Sequence, residues 1–308
     1  MSRNTIYLVT GGNRGPPHFY PYLTLPYLTP IPTPLANTQA KTPGIGLHLA
    51  AALLLRPHTT VIATLRSEET SQEALHALPA GENSKLVITY LDLSPSTPIP
   101  DPETETNSEN TPQTQPHTHT PQSLHHALTK THHIPYINTI IASAGHGTSF
   151  RSLLSTPPSS LLQNFHINTL GPITLFQALY PLLEAGTGNG NGESKFVLIS
   201  SSLGSIDAMG MQAGTEPTPT LAYGVSKAGA NYFCRKVHFE CEGVTALAVH
   251  PGWVKTANGQ AFADAVGIKE PPMSLEDSVK GVLKQIDTAS KSTTSGTFMS
   301  YDGTVIPW

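Results

Sequence analysis

Tyr223 and Lys227 stand four residues apart at the start of a stretch that reads as a helix from near Leu221. Both side chains therefore lie on one face, about one turn from each other. An ammonium held near a phenol favours the phenolate and lowers its pKa from ~10. Tyr223 is then a candidate proton donor to a developing alkoxide. A serine of the run Ser200-Ser201-Ser202, about twenty residues earlier, could bind the same oxygen. This is the logic of carbonyl reduction by hydride transfer. Alone, the pair is weak evidence and reads more readily as a solvated lysine beside a half-buried tyrosine, so its meaning rests on what surrounds it.

The chain has 308 residues, 38% of them hydrophobic, and 28 prolines. Residues 16–44 and 95–122 hold 15 of those prolines. What remains has ordinary proline usage and the length of one α/β domain. A formal net charge of −4 and the absence of any basic run argue against a general nucleic-acid binder. Cys234 and Cys241 fall seven residues apart on one predicted helix, ~10 Å along its axis and too far for a disulfide. Reduced thiols are the cytoplasmic default. The first apolar run, Ile6–Val9, is too short for a signal-peptide core, and no segment approaches membrane-spanning length. The expectation is a soluble cytoplasmic protein.

Short β-branched and aromatic runs predict strands at Thr5–Val9, Thr60–Thr64, Lys85–Tyr90, Asn138–Ala142, Lys195–Ser200, Val244–Val249 and Gly296–Ser300. Helices are predicted over Leu47–Leu55, Glu68–Leu78, Ser159–Leu183, the segment from Leu221, and Leu275–Ile286. Strands alternating with helices give an α/β fold: a doubly wound, Rossmann-type parallel sheet in a single domain. The first strand runs into a glycine turn, Thr10-Gly11-Gly12-Asn13-Arg14-Gly15, but Gly44-Ile45-Gly46-Leu47 arrives only after a further proline-rich segment. That segment has one formal charge, Lys41, and no period of 2 or 3.6. The second insertion, Pro95–Gln122, has Ile99 as its only bulky aliphatic residue and is expected to be disordered. The histidines within and after it lack metal-ligand spacing, so no metal is expected.

With the glycine cluster, Asn168, the serine run, Tyr223 and Lys227 in that order, the sequence resembles the short-chain dehydrogenases/reductases, NAD(P)-dependent Rossmann-fold enzymes. The C-terminal stretch Tyr301–Trp308 resembles a subgroup that includes the C-factor-like and norsolorinic-acid-ketoreductase-like proteins. Joining Gly15 to Ile45 completes the family's glycine fingerprint. The resemblance then implies that Gly11, Asn13, Arg14, Gly15, Ile45 and Gly46 hold the cofactor pyrophosphate at a helix N-terminus. It implies that Asp92 contacts adenine, and that Ala144 and Gly145 lie against the cofactor, with Ser143 replacing the family's usual Asn. Pro251, Gly252, Val254 and Thr256 match the segment that contacts the nicotinamide. Arg66 follows the second strand where NAD-preferring members carry an acid; with Arg14 it favours NADP over NAD. The catalytic set implied is Ser201, Tyr223, Lys227 and Asn168. Ser201 follows the Ser-x-x-Gly pattern, with Ser200 and Ser202 as fallbacks. Lys227 also binds the nicotinamide ribose, and Asn168 distorts its helix and holds a relay water.

The substrate implied is a small carbonyl compound. Residues Asp207–Thr220 and a mobile lid at Gln260–Pro272 would shape its pocket. Relatives pair through the two long helices, which implies a homodimer or homotetramer. Two readings of residues 16–44 stand open: a translated intron or similar gene-model error, and an extruded loop. With them stands a rival to the enzyme reading, an impaired or inactive relative whose pyrophosphate turn is split. Hydrolysis through Ser201 is a further rival, but no Gly-x-Ser-x-Gly elbow surrounds that serine.

Overall fold

The computed structural model describes residues 4–11, 44–95, 118–147, 150–187, 193–210 and 218–308. Seven strands form one sheet: β1 (Thr5–Val9), β2 (Thr59–Leu65), β3 (Lys85–Tyr90), β4 (Thr139–Ala142), β5 (Ser194–Ile199), β6 (Val244–His250) and β7 (Thr297–Ser300). Their order is β3-β2-β1-β4-β5-β6-β7, with every neighbouring pair parallel. The helices are α1 (Ile45–Leu54), α2 (Glu73–His76), α3 (Pro121–His126), α4 (Pro158–Phe165), α5 (Gly171–Thr187), α6 (Leu221–Glu240), α7 (Ala257–Ala265) and α8 (Leu275–Thr288). The chain winds outward from β1 to β3, then crosses to β4 on the other side of β1. The connections therefore run in opposite directions on either side of the β1–β4 pair, which opens a crevice at the carboxyl ends of the strands.

Period-2 alternation divides the strand residues between two cores. Ile6, Leu8, Ile140, Phe196 and Leu198 face Leu124, Leu175, Leu179 and Cys234. Val9, Val61, Ile141, Val197 and Val249 face Leu49, Leu53 of α1 and Val282, Ile286 of α8. Phe196 is fully buried, with the Phe176 and Phe233 rings edge-on at 5.1 and 5.7 Å. Burial on both faces explains the near-continuous apolar runs in β2, β5 and β6. Cys234 and Cys241 are both free thiols. No described helix is long and apolar enough to cross a membrane.

Several boundaries depart from the sequence reading. The expected helix Glu68–Leu78 contracts to the single turn of α2. Its first half instead forms a turn in which the Thr70 N–H reaches Ser67 O and the Glu68 carboxylate engages the His119 ring at 2.8 Å. Short polar residues there bond locally rather than helically, as in the Glu73 N–H to Ser71 Oγ contact. The end of the second insertion is ordered, against expectation. His119 O accepts the Asp92 N–H, and Thr120 caps α3 with Pro121 in its first turn. Asn138 stands outside β4; its side chain instead accepts the Ile6 N–H at 2.8 Å. Expectations for residues 12–43 and 96–117 lie outside the described residues, and so do those for 211–217.

Candidate active site

Asn168 lies where the expected long helix breaks. Between α4 and α5, His166–Leu170 forms a π-helical turn, and the Gly171 N–H reaches back five residues to His166 O. One cause is readable in the chain: Pro172 has no N–H to return to the Asn168 carbonyl four residues earlier. The Asn168 side chain is buried at 1% exposure. Its Oδ1 accepts the His146 N–H at 2.7 Å, while its Nδ2 donates to His146 O at 2.7 Å and Ser226 Oγ at 2.9 Å. A single amide thus clamps the loop after β4 to α6.

That loop, Ser143–Gly147, lies across the other predicted residues. A Cβ at Gly145 would stand 3.4 Å from Asn168 Oδ1 and 3.6 Å from Lys227 Nζ. A Cβ at Gly147 would press into the Tyr223 ring at 2.9 Å. Lys227 is 4% exposed, donates to Ile199 O at 2.9 Å, and holds its Nζ 5.7 Å from the Tyr223 ring centre. Thr10 anchors the start of the loop: its Oγ1 accepts the N–H groups of Ser143 and Ala144, both at 3.0 Å, and its carbonyl accepts Ser143 Oγ. Ser143, in place of the family's usual Asn, therefore still ties β4 to β1.

Ser201 sits at the end of β5, 8% exposed, and caps a short turn at Ser202–Gly204. Its Oγ accepts the Leu203 N–H at 3.3 Å, which leaves the hydroxyl proton available for donation. The turn packs on the first turns of α6: a Cβ at Gly204 would stand 2.6 Å from Lys227 Cβ, and one at Gly224 2.9 Å from Leu203 O. Ser200, one fallback, is committed elsewhere, donating to Asn231 Oδ1 at 2.5 Å.

Gly11 and Gly46 meet although 34 residues separate them. Gly11 takes φ +72° with Ala144 against it, and a Cβ on Gly46 would fall 2.6 Å from Gly11 O and 2.8 Å from Ser143 Oγ. Ile45 opens α1 behind Gly44, with no side-chain cap and no acid in the first turn. The α1 N-terminus therefore presents backbone donors toward the crevice. Arg66 is exposed just past β2. Asp92 follows β3 and accepts the Ser94 N–H at 2.9 Å, the turn-forming use of an aspartate. Asn13, Arg14 and Gly15 lie outside the described residues.

After β6, Gly252 takes φ +87°, Val254 is buried and bridges to Met273, and Thr256 caps α7 through Gly259 N–H at 3.1 Å. Pro251 O accepts Ser278 Oγ at 2.6 Å, which fixes this segment to α8. The first part of the expected lid, Gln260–Ala265, belongs to α7. Its Phe262 packs on Phe150 at 5.2 Å and Trp253 at 5.1 Å, and Phe150 meets Tyr223 edge-on at 5.7 Å. Phe262 falls in the expected lid, whereas Phe150 and Trp253 lie on other segments and no local pattern marks them. His250 was also passed over; its signal was its place directly before Pro251-Gly252. His250 Nδ1 accepts the Ser202 N–H at 3.2 Å.

The family model for short chain dehydrogenase matches residues 104–266. Norsolorinic acid ketoreductase of Aspergillus parasiticus is 34% identical over 266 residues, covering 86% of this chain and 88% of that protein. Norsolorinic acid ketoreductase nor1 of Dothistroma septosporum is 31% identical over 308 residues, covering 100% of this chain and 94% of the relative. Among solved structures, NADPH-bound carbonyl reductase from chicken fatty liver superposes with a TM-score of 0.70 at 23% identity, each chain covered in full. Fold, sequence and motif order converge: the chain belongs to the short-chain dehydrogenase family of oxidoreductases.

Proposed function

We propose that this protein reduces a ketone or aldehyde with NADPH, using Ser201, Tyr223, Lys227 and Asn168. The observation that carries the reading is the convergence of Asn168 Oδ1, Lys227 Nζ and the Tyr223 ring on the backbone of Gly145–Gly147, at the carboxyl end of β4. The residues present fit a dinucleotide. Gly11 and Gly46 let the end of β1 and the start of α1 meet backbone to backbone, the α1 N-terminus is uncapped by side chains, and Arg66 offers a cation at the end of β2. The NADPH-bound carbonyl reductase of the same fold and the ketoreductase names of the relatives point the same way.

Bound NADPH supplies the hydride. The protein's part is to place the carbonyl carbon for that transfer and to supply the proton. Ser201 donates its hydroxyl hydrogen to the carbonyl oxygen, and Tyr223 delivers the phenolic proton to that oxygen as charge builds on it. The Lys227 ammonium favours the tyrosinate left behind. Asn168 keeps the loop after β4 seated on α6, so that the lysine and tyrosine face one spot. Phe150, Phe262 and Trp253 form an aromatic wall beside Tyr223, suited to an apolar or ring-bearing carbonyl compound.

Replacing Tyr223 with Phe tests this. Turnover should fall roughly 10²–10⁴-fold, the usual worth of a positioned acid, while NADPH binding by fluorescence titration stays unchanged. A Tyr223→Phe enzyme with full turnover sinks the assignment. The same titration on a chain lacking residues 16–44 tests whether that segment weakens cofactor binding.

A further inference from the structure

We propose that His250 is a positioning residue: its neutral imidazole holds the Ser202 N–H and thereby sets the turn that presents Ser201. The proposal rests on the reading above, in which Ser201 binds the substrate oxygen.

Three observations on the turn carry it. The Ser200 N–H pairs with Val249 O across the sheet at 2.8 Å, the last regular ladder contact of β5. Beyond it the Leu203, Gly204 and Ser205 N–H groups bond within the turn, to Ser201 Oγ, Ser201 O and Ser202 O. The Ser202 N–H instead leaves the turn for a side chain on the neighbouring strand, His250 Nδ1 at 3.2 Å. The far end of the loop is held separately. Ser205 Oγ donates to Pro307 O at 2.6 Å, and the Ile206 and Asp207 N–H groups reach Trp308 O at 3.2 and 3.0 Å. His250 thus secures the end of the loop nearer the chemistry.

The histidine is itself well fixed. It is the last residue of β6, pairs in register with Ser300 of β7, and its carbonyl accepts the Tyr301 N–H at 2.9 Å. Pro251 and Gly252 follow at once, so one residue links the serine turn to the segment assigned to the nicotinamide. For Nδ1 to accept an N–H the ring must be neutral, with its proton on Nε2. Burial enforces that state, pushing the His250 pKa down to about 4 against a smaller opposing pull from Asp302. With Nδ1 occupied by the Ser202 N–H, the ring is committed to the turn. Its part is to hold the turn.

The test compares wild type with His250→Leu, His250→Asn and Ser201→Ala. Turnover is measured with NADPH and 9,10-phenanthrenequinone as a model carbonyl probe. NADPH affinity is taken by fluorescence, and amide hydrogen exchange is followed in the peptide spanning Ser200–Ile206. Leu removes the acceptor, whereas the Asn side-chain oxygen can occupy the place of Nδ1. His250→Leu should lower kcat roughly 10–100-fold, the scale of a small misplacement of a reacting group. It should leave NADPH affinity unchanged and speed exchange at the serine turn. His250→Asn should restore both kcat and protection. His250→Leu with wild-type kcat and exchange, beside an inactive Ser201→Ala, overturns the proposal alone; so does His250→Asn as impaired as His250→Leu. A fully active Ser201→Ala overturns the reading beneath it. Exchange decides the contact even where the probe is a poor substrate.

Discussion

Arg66 is exposed at the end of β2, where a ribose 2′-phosphate would need a cation. Replacing it with Asp should weaken NADPH binding ~10–100-fold, the worth of a lost charge-assisted hydrogen bond of about 1.5–3 kcal/mol. The added carboxylate should improve NADH binding through the 2′-hydroxyl, so paired titrations should show the preference narrowing or reversing. Among single residues the sequence was most informative where a side chain acts locally. Tyr223 and Lys227 share a helical face by spacing alone. The partners of Asn168 were not readable in this way. Its bonds run to His146 and Ser226, 22 and 58 residues away, and no local pattern records them.

At the scale of elements, the π turn at His166–Leu170 and the loop after β4 depend on one another. Asn168→Leu removes the acceptor of the His146 N–H and the donor to His146 O and to the buried Ser226 Oγ, which still donates to Tyr223 O; each lost hydrogen bond is worth about 0.5–1.5 kcal/mol. Thermal melting should show Tm lower by several degrees, at roughly 2–4 °C per kcal/mol for a domain of this size. Asn168→Asp should fall between the two, because its oxygen still accepts the His146 N–H but no N–H remains to donate. The seven strands were placed to within a residue at each end, because short apolar β-branched runs mark them in the sequence. The helix expected at Glu68–Leu78 was not, because Glu68 is drawn off by His119, a partner at the end of the second insertion. The aromatic wall was equally hidden, since Phe150, Trp253 and Phe262 meet only through the seating of α7.

Across the whole molecule, pH should act on stability through His250. Its folded pKa, about 4, lies below the unfolded value near 6.5, so the neutral ring is worth most when it would otherwise remain neutral. That contribution is complete above pH 6.5 and is lost as pH falls through about 4. Urea midpoints measured from pH 7 to pH 4 should decline across this window. In His250→Asn, which has no titrating ring there, the decline should be shallower; an unchanged slope would remove His250 as the cause.

The sequence by itself determined the fold class, from strands alternating with helices, and the placement of Tyr223 and Lys227 on one helical face. Each of these is written in short-range spacing: period 2 in strands, 3.6 in helices, and four residues between the tyrosine and its lysine. Tertiary structure decided which groups those residues meet. It brings Gly11 against Gly46, lays Gly145 and Gly147 over the lysine and tyrosine, and turns the Ser202 N–H to His250. Those contacts join segments far apart in the chain, and they arise because the parallel sheet delivers the carboxyl ends of β1, β4, β5 and β6 to one edge.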